Sequence, residues 1–499
     1  MSEGVIILLI ALAAVIVMTI GGILYGRRHS RTLDGWLVNS RLMGPFLVWF
    51  LLGTEIYTAF TFQGLAGYAY VNGAAAYYNV ALNDVAYALG FFLLPAFWLL
   101  GRRFSHVTQS DFVASRYQSR GLGIFVALAT ALIMIGYIDL NIEGLGAVVH
   151  VISGGSIAGI WPDVLGFVVL GFAVMFGGIR GNAWQSAIKD ILMFIAIVTL
   201  FFVVPFHFFH GFGPMFQEFH AKLGSRMVMP GIAPKMGILW LVTTVLLTSM
   251  GQWMWPQWFG ISYTARGPRS LKLQAVFMPL YQLIKWMVIV IGFAAVLLLG
   301  YHKKEGNNVV MMLAGHVLPG WMLAVFTVAA VFSAIVPAGP IIMTSAGLLA
   351  RNVYQKIWPK TSDATTYRLT RSLVLPITFL ALVLAELAPA LIVVVLLVAY
   401  DFIAQLFPTI VIGGLFWKRA TKEGALAGIL GGWIVAGWLL LTHEDPWHGI
   451  NAGFVALIVN LILFFGVSLM TRPADSAFLQ TFFETVYPKK RRVSSVGSK

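Results

Sequence analysis

The stretch Trp49-Phe-Leu-Leu-Gly-Thr-Glu-Ile-Tyr-Thr-Ala-Phe-Thr-Phe62 lies inside an apolar run, 43–68, and Gly53, Thr54, Glu55 and Thr58 interrupt it near its middle. A second stretch, Thr248-Ser-Met-Gly-Gln-Trp-Met-Trp-Pro-Gln257, is interrupted in the same way, with Gly251 and Pro256 flanking an aromatic, amide-rich turn. Breaks of this kind expose backbone amides at one new helix end and carbonyls at the other. The amide end attracts a carboxylate and the carbonyl end a cation. Tight helix packing also uses glycine and small residues, but it accounts less well for two breaks at corresponding places.

The chain of 499 residues is 59% hydrophobic and only 10% charged, with a mean hydropathy of +0.86. Soluble domains carry about a quarter charged residues, so lipid is the expected solvent. Spanning takes about 20 apolar residues. Thirteen candidate spans follow: 5–25, 43–68, 76–101, 122–150, 160–178, 185–207, 237–260, 275–300, 318–350, 370–389, 391–415, 424–442 and 451–471. The expected fold class is an all-α membrane protein forming one transmembrane domain. Helices two to six and seven to eleven read as two five-helix repeats, about 43–207 and 237–415, the second inverted relative to the first. The loop segment Phe212–Leu223 reads as a short interfacial helix.

Charge sets the orientation. With the N-terminus outside, 26 of the 33 Lys and Arg residues fall in inner loops and the tail 472–499, and five fall in outer loops. This positive-inside bias accounts for the net charge of +14 without nucleic acid. Pro488-Lys-Lys-Arg-Arg-Val493 reads as a basic stretch beside the membrane. There is no cysteine, so disulfides and cysteine metal sites are excluded. Neither a nucleophile–base pattern nor a metal-spaced histidine cluster suggests an enzyme, and no cofactor is expected. A membrane sensor built on a transporter module would need a signalling domain, for which no segment of the sequence has room.

Ionisable residues inside spans are functional candidates by default. Glu55 lies at a break and suits a proton carrier or a cap on the broken helix. Lys189 and Asp190 lie in helix six as a coupling pair or as a snorkelling lysine with a structural acid. Asp84 and Lys285, and Asp139 with Glu143 one turn apart, are further polar positions whose roles the sequence leaves open. Tyr57, Thr58, Thr61, Gln252, Trp253 and Trp255 are the expected solute contacts, and Tyr400-Asp401 a candidate gate.

Several motifs in order — Gly35-Trp36, Gly44-Pro45, Tyr57–Gly67, Asp111-Phe-Val-Ala-Ser-Arg-Tyr117, Phe176-Gly-Gly-Ile-Arg180, Arg351-Asn-Val-Tyr354 and Gly414-Leu-Phe-Trp-Lys-Arg-Ala-Thr421 — resemble the sodium:solute symporter family over about residues 5–471. The resemblance implies thirteen helices with the inverted five-plus-five core of leucine-transporter type, and solute symport by alternating access across a bacterial inner membrane. Tyr57–Phe62, Lys189-Asp190 and Val336-Pro-Ala338 resemble its monocarboxylate permease branch, whose substrates are lactate, pyruvate, propionate or alanine. Proline, a sugar, urea or a vitamin is the alternative solute. The family's sodium site maps onto backbone oxygens of Thr54 and Tyr57 and onto hydroxyls at Ser333 and 334. Position 334 is alanine, so one ligand is missing. Where helix six of the family often carries an acid, Ser186 stands here, with Lys189 one turn deeper. The coupling ion is therefore expected to be H+ or Na+, with the balance toward protons.

Overall fold

The computed structural model describes residues 3–26, 32–387 and 391–488. Among these the chain is helical, and its only β-pairings are the isolated bridges Met43–Ala265 and Trp447–Ile450. The first span is α1, Glu3–Gly26. The second is broken. Its first half, α2a, is Pro45–Thr54. Residues 55–58 are non-helical, and a π-turn at Phe60–Gly64 leads into α2b, Leu65–Asn72. Next come α3, Tyr78–Arg103, and α4, Arg120–Ile152. The helical run Trp161–Phe208 is interrupted at Gly178, where φ is +65°. That left-handed conformation suits glycine and divides the run into α5, 161–177, and α6, Gly178–Phe208.

The seventh span bends by 47° between α7a, Ile238–Gln252, and α7b, Pro256–Thr264. Pro256 opens α7b, at the position where a missing N–H costs nothing. The remaining spans are α8 Gln282–Leu299, α9 Gly320–Gly347, α10 Val374–Leu387, α11 Ile392–Ile403, α12 Lys422–Leu441 and α13 Ala452–Met470. A short α14, Ser476–Val486, follows. The segment Phe212–Leu223 forms a helix, with Met215, Phe219 and Leu223 on its buried side.

Each of the thirteen apolar stretches contains a helix, but not all are long enough to cross unaided. Among the described residues ten are, and the bent pair Ile238–Gln252 and Pro256–Thr264 makes an eleventh. The other two, Pro45–Thr54 and Trp161–Gly171, are short apolar helices. The first is cut by the break at 55–58, beyond which the helix of the second span runs on into the third. Val17, Leu132, Trp438 and Met470 point outward, which only lipid tolerates on this scale. Inside the bundle α6 packs against α1, α2a and α9, and α9 packs against α4. Arg27, Arg28 and Arg31 and the tail beyond residue 488, on which part of the charge asymmetry rests, lie outside the described residues.

Between α3 and α4 a short helix, Gln109–Arg116, begins with a capping box: Thr108 accepts from the Asp111 amide, and Asp111 accepts in return. The Asp111 carboxylate takes the amides of Val107 and Thr108 at 3.0 and 3.2 Å and the Asn352 side chain at 2.8 Å. Arg351 lies 3.4 Å away. Burial alone would raise the Asp111 pKa, yet Arg351 and the Val107 amide hold it below the ordinary carboxylate value. This contribution is full above about pH 4 and is lost as pH falls through the depressed pKa. Asp111→Ala is expected to lower stability by about 3 kcal/mol and to flatten the acid side of the melting-temperature profile of the protein in detergent. An unchanged profile would show that this cap does not hold the loop.

Candidate functional site

The break in α2 brings the site together. At Glu55 the backbone leaves the helix, and the Thr54 and Tyr57 carbonyls face α6. Lys189 reaches them from α6: its Nζ donates to the Tyr57 carbonyl at 2.6 Å and to the Thr54 carbonyl at 3.3 Å. Asp190 Oδ1 lies 2.6 Å from the same Nζ. The Tyr281 hydroxyl donates to Asp190 Oδ2 at 2.7 Å, and its ring stands edge-on to Tyr57 at 4.4 Å. Lys189 is fully buried, so it is not a snorkelling residue. A charge in this position must be matched, because several kcal/mol are lost for each unpaired ion.

Gly53 makes the close approach possible. A Cβ at Gly53 would lie 1.9 Å from the Tyr281 hydroxyl oxygen. The sequence reading did not single out Tyr281. Tyr281 closes a 3-10 turn just before α8, and its sequence neighbourhood carries no signal of a partner 91 residues away. Gln257 was also passed over, although it lay within the second quoted stretch. Its side-chain amide donates to Glu55 Oε2 at 3.3 Å, joining α7b to the break in α2. The Tyr137 hydroxyl adds a bond to the Glu55 carbonyl at 3.3 Å. The Glu55 side chain is itself buried, and its Oε1 has no hydrogen-bond partner among the described residues.

The six expected solute contacts are at most 4% exposed, but they do not converge on one spot. Trp255 packs against Tyr137 at 4.8 Å and Tyr400 at 5.5 Å. The Tyr400 hydroxyl donates to Gln252. Those residues form one aromatic wall beside Glu55 and Gln257. Trp253 turns to α3 instead, donating to the Ala86 carbonyl at 2.6 Å. A Cβ at Gly90 would fall 2.3 Å from its ring. Thr61 donates back to the Ile56 carbonyl, and Thr58 accepts from the Phe60 amide at 3.1 Å, so both hydroxyls shape the break itself.

On α9 the Ser333 hydroxyl donates to the Ala330 carbonyl at 2.7 Å, leaving its oxygen able to accept or to ligate. Ala334 beside it is buried and has no such group. The Asn182 side chain of α6 donates to the Val336 carbonyl at 2.7 Å, tying α6 to α9, and the Ser186 hydroxyl donates to the Asn182 backbone carbonyl at 2.8 Å within α6. The other charged candidates lie elsewhere. Glu143 lines a cavity of about 750 Å³ with Asp163 and His150. Asp139 is buried one helical turn before Glu143. Asp84 is exposed on α3, and Lys285 is buried in α8. Asp401 is buried against Gly453 of α13, where an added Cβ would lie 2.3 Å from its carboxylate.

Comparison with known proteins agrees with this architecture. The sodium:solute symporter family model matches residues 36–432. The uncharacterized symporter YhjB of Bacillus subtilis (strain 168) is 34% identical over 91% of this chain and 95% of its own length. The monocarboxylate transport permease protein of Rhizobium johnstonii is 26% identical over 89% of this chain and 93% of its own. A solved substrate-bound, outward-open Na+-coupled sialic acid symporter superposes with a TM-score of 0.75 at 16% identity, covering 95% of this chain and all of that one. At that identity the likeness speaks for the fold, which is of the leucine-transporter type. With the model spanning most of its length, two broken helices facing each other and a matching fold, the chain belongs to the sodium:solute symporter family and is a multi-pass solute symporter.

Proposed function

We propose that the chain imports a small monocarboxylate together with a proton, by alternating access between repeats at about 43–207 and 237–415, with its N-terminus outside a bacterial inner membrane and its tail in the cytoplasm. The observation that carries the coupling half is the Lys189 ammonium on the Thr54 and Tyr57 carbonyls. These are the oxygens that the family resemblance gives to sodium. An ammonium has three donors, and here they meet two carbonyls and the Asp190 carboxylate. Sodium and the ammonium need the same oxygens, so one excludes the other. When Lys189 gives up its proton the positive charge and one of its three donors disappear, the hold on the two carbonyls and on Asp190 weakens, and α2 and α6 are free to part. The missing hydroxyl at Ala334 points the same way. Glu55, buried at the break beside Gln257, is the second group able to carry a proton or to hydrogen-bond the solute.

The substrate half is supported by the relative named as a monocarboxylate transport permease and by the attraction of broken-helix amides for a carboxylate. Tyr57, Gln252 and Trp255 would surround that solute, while Trp253 would support them from α3.

Two measurements test this reading. Labelled lactate or pyruvate is offered to proteoliposomes with sodium and pH gradients imposed separately. An inward proton gradient alone should drive uptake, and Lys189→Met should reduce that uptake at least about tenfold, a loss of about 1.4 kcal/mol. Uptake that needs sodium and ignores the pH gradient would overturn the role of Lys189, and no uptake of either acid would overturn the substrate class. In the second, Gly53→Ala forces Tyr281 off Asp190 and should cost about 1–3 kcal/mol in stability. Tyr281→Phe removes only the hydrogen bond, worth about 1 kcal/mol, yet should shift the pH dependence of uptake. A pH profile identical to the parent's would place Tyr281 outside the coupling machinery.

A further inference from the structure

A cavity of about 1240 Å³ opens away from the transport site; among the described residues its lining sets Arg120, Arg351, Lys356, Arg368 and Arg371 against two acids, Asp34 and Asp363. Both acids are already engaged. Asp34 lies 3.5 Å from Arg351, and Asp363 accepts from the Gln355 side chain at 3.0 Å. Arg371 donates to the Met175 carbonyl at 3.3 Å and lies over the Tyr367 ring. Arg120, Lys356 and Arg368 are exposed. Five cations against two anions in one concavity focus a positive potential.

Its position in the fold indicates what could reach it. Arg120 opens α4, the helical run through α9 ends at Ile357, and α10 starts just after the helix Asp363–Ser372. The cavity therefore sits where three apolar helices emerge from the bilayer. Ile357 and Trp358, next in sequence to its lining, are about half exposed, as suits side chains at the lipid–water boundary. Guanidinium groups bind phosphate oxygens through paired, charge-assisted hydrogen bonds. Basic pockets between transmembrane helices are suited to acidic headgroups.

We propose that this cavity binds a phosphate-bearing anion, and that in the membrane its occupant is the headgroup of an acidic phospholipid. Arg120 and Arg368 supply the free charge, and Arg351 and Arg371, already oriented by their partners, form the inner wall.

The test uses the full-length protein in neutral detergent micelles, titrated with phosphatidylglycerol, phosphatidylcholine or glycerol 3-phosphate, with bound molecules counted by native mass spectrometry. Phosphatidylglycerol should bind and phosphatidylcholine should not at the same concentrations. The double variant R120A/R368A should lose roughly 30-fold in phosphatidylglycerol affinity, while R120K/R368K should retain most of it. Glycerol 3-phosphate binding as tightly, with the same arginine dependence, would keep the phosphate site but overturn the lipid as its occupant. Unchanged phosphatidylglycerol affinity in R120A/R368A, at an unchanged melting temperature, would overturn the site itself.

Discussion

A buried ammonium and the open end of a broken helix solve each other's problem in this protein. In hydrocarbon, carbonyls that have lost their helical donors need a partner, and so does a fully buried lysine. Lys189 meets Thr54 and Tyr57, and neither group could stay buried at low cost without the other. Asp190 neutralises the ammonium and is itself held by Tyr281. Tyr281 in turn requires that residue 53 have no side chain. One contact thus fixes where α2 may bend, which face of α6 turns inward and how closely the start of α8 can approach.

The second broken helix is joined to the first through a different kind of bond. Glu55 and Gln257 meet across the centre, and Tyr137, Trp255 and Tyr400 pack around them. Because the same four-residue gap in α2 serves both the Lys189 cluster and the Glu55 cluster, a change at one is felt at the other through a short piece of backbone. That arrangement is what a symporter requires, since solute and coupling ion must bias the same equilibrium. On the proposed reading, loss of a proton at Lys189 and departure of the solute beside Glu55 act on one flexible element. Far from this centre, Asp111 and Arg351 link the loop after α3 to the end of α9. The movable core is therefore also tied down at one end by ionic contacts outside the membrane.

The sequence by itself determined the solvent, the number of apolar stretches, the two break points and the family, because each is written locally. Hydropathy needs only a window of about 20 residues, and a glycine, proline or carboxylate inside such a window marks a break wherever the helix is later placed. Lys189 was visible as a costly charge for the same reason. Tertiary structure alone decided which groups meet it. Tyr281 lies 91 positions from Asp190, and Gln257 202 from Glu55, distances over which no periodicity carries information. The course of the chain through the second break decided the rest. Trp253 and Trp255 are two residues apart in the non-helical link between α7a and α7b, and the bend there sends one to α3 and the other to the centre. Span length was also settled in three dimensions: the stretch 43–68 is apolar enough to cross, but the ammonium of Lys189 finds its carbonyls only because that helix stops at Thr54 and begins again beyond Thr58.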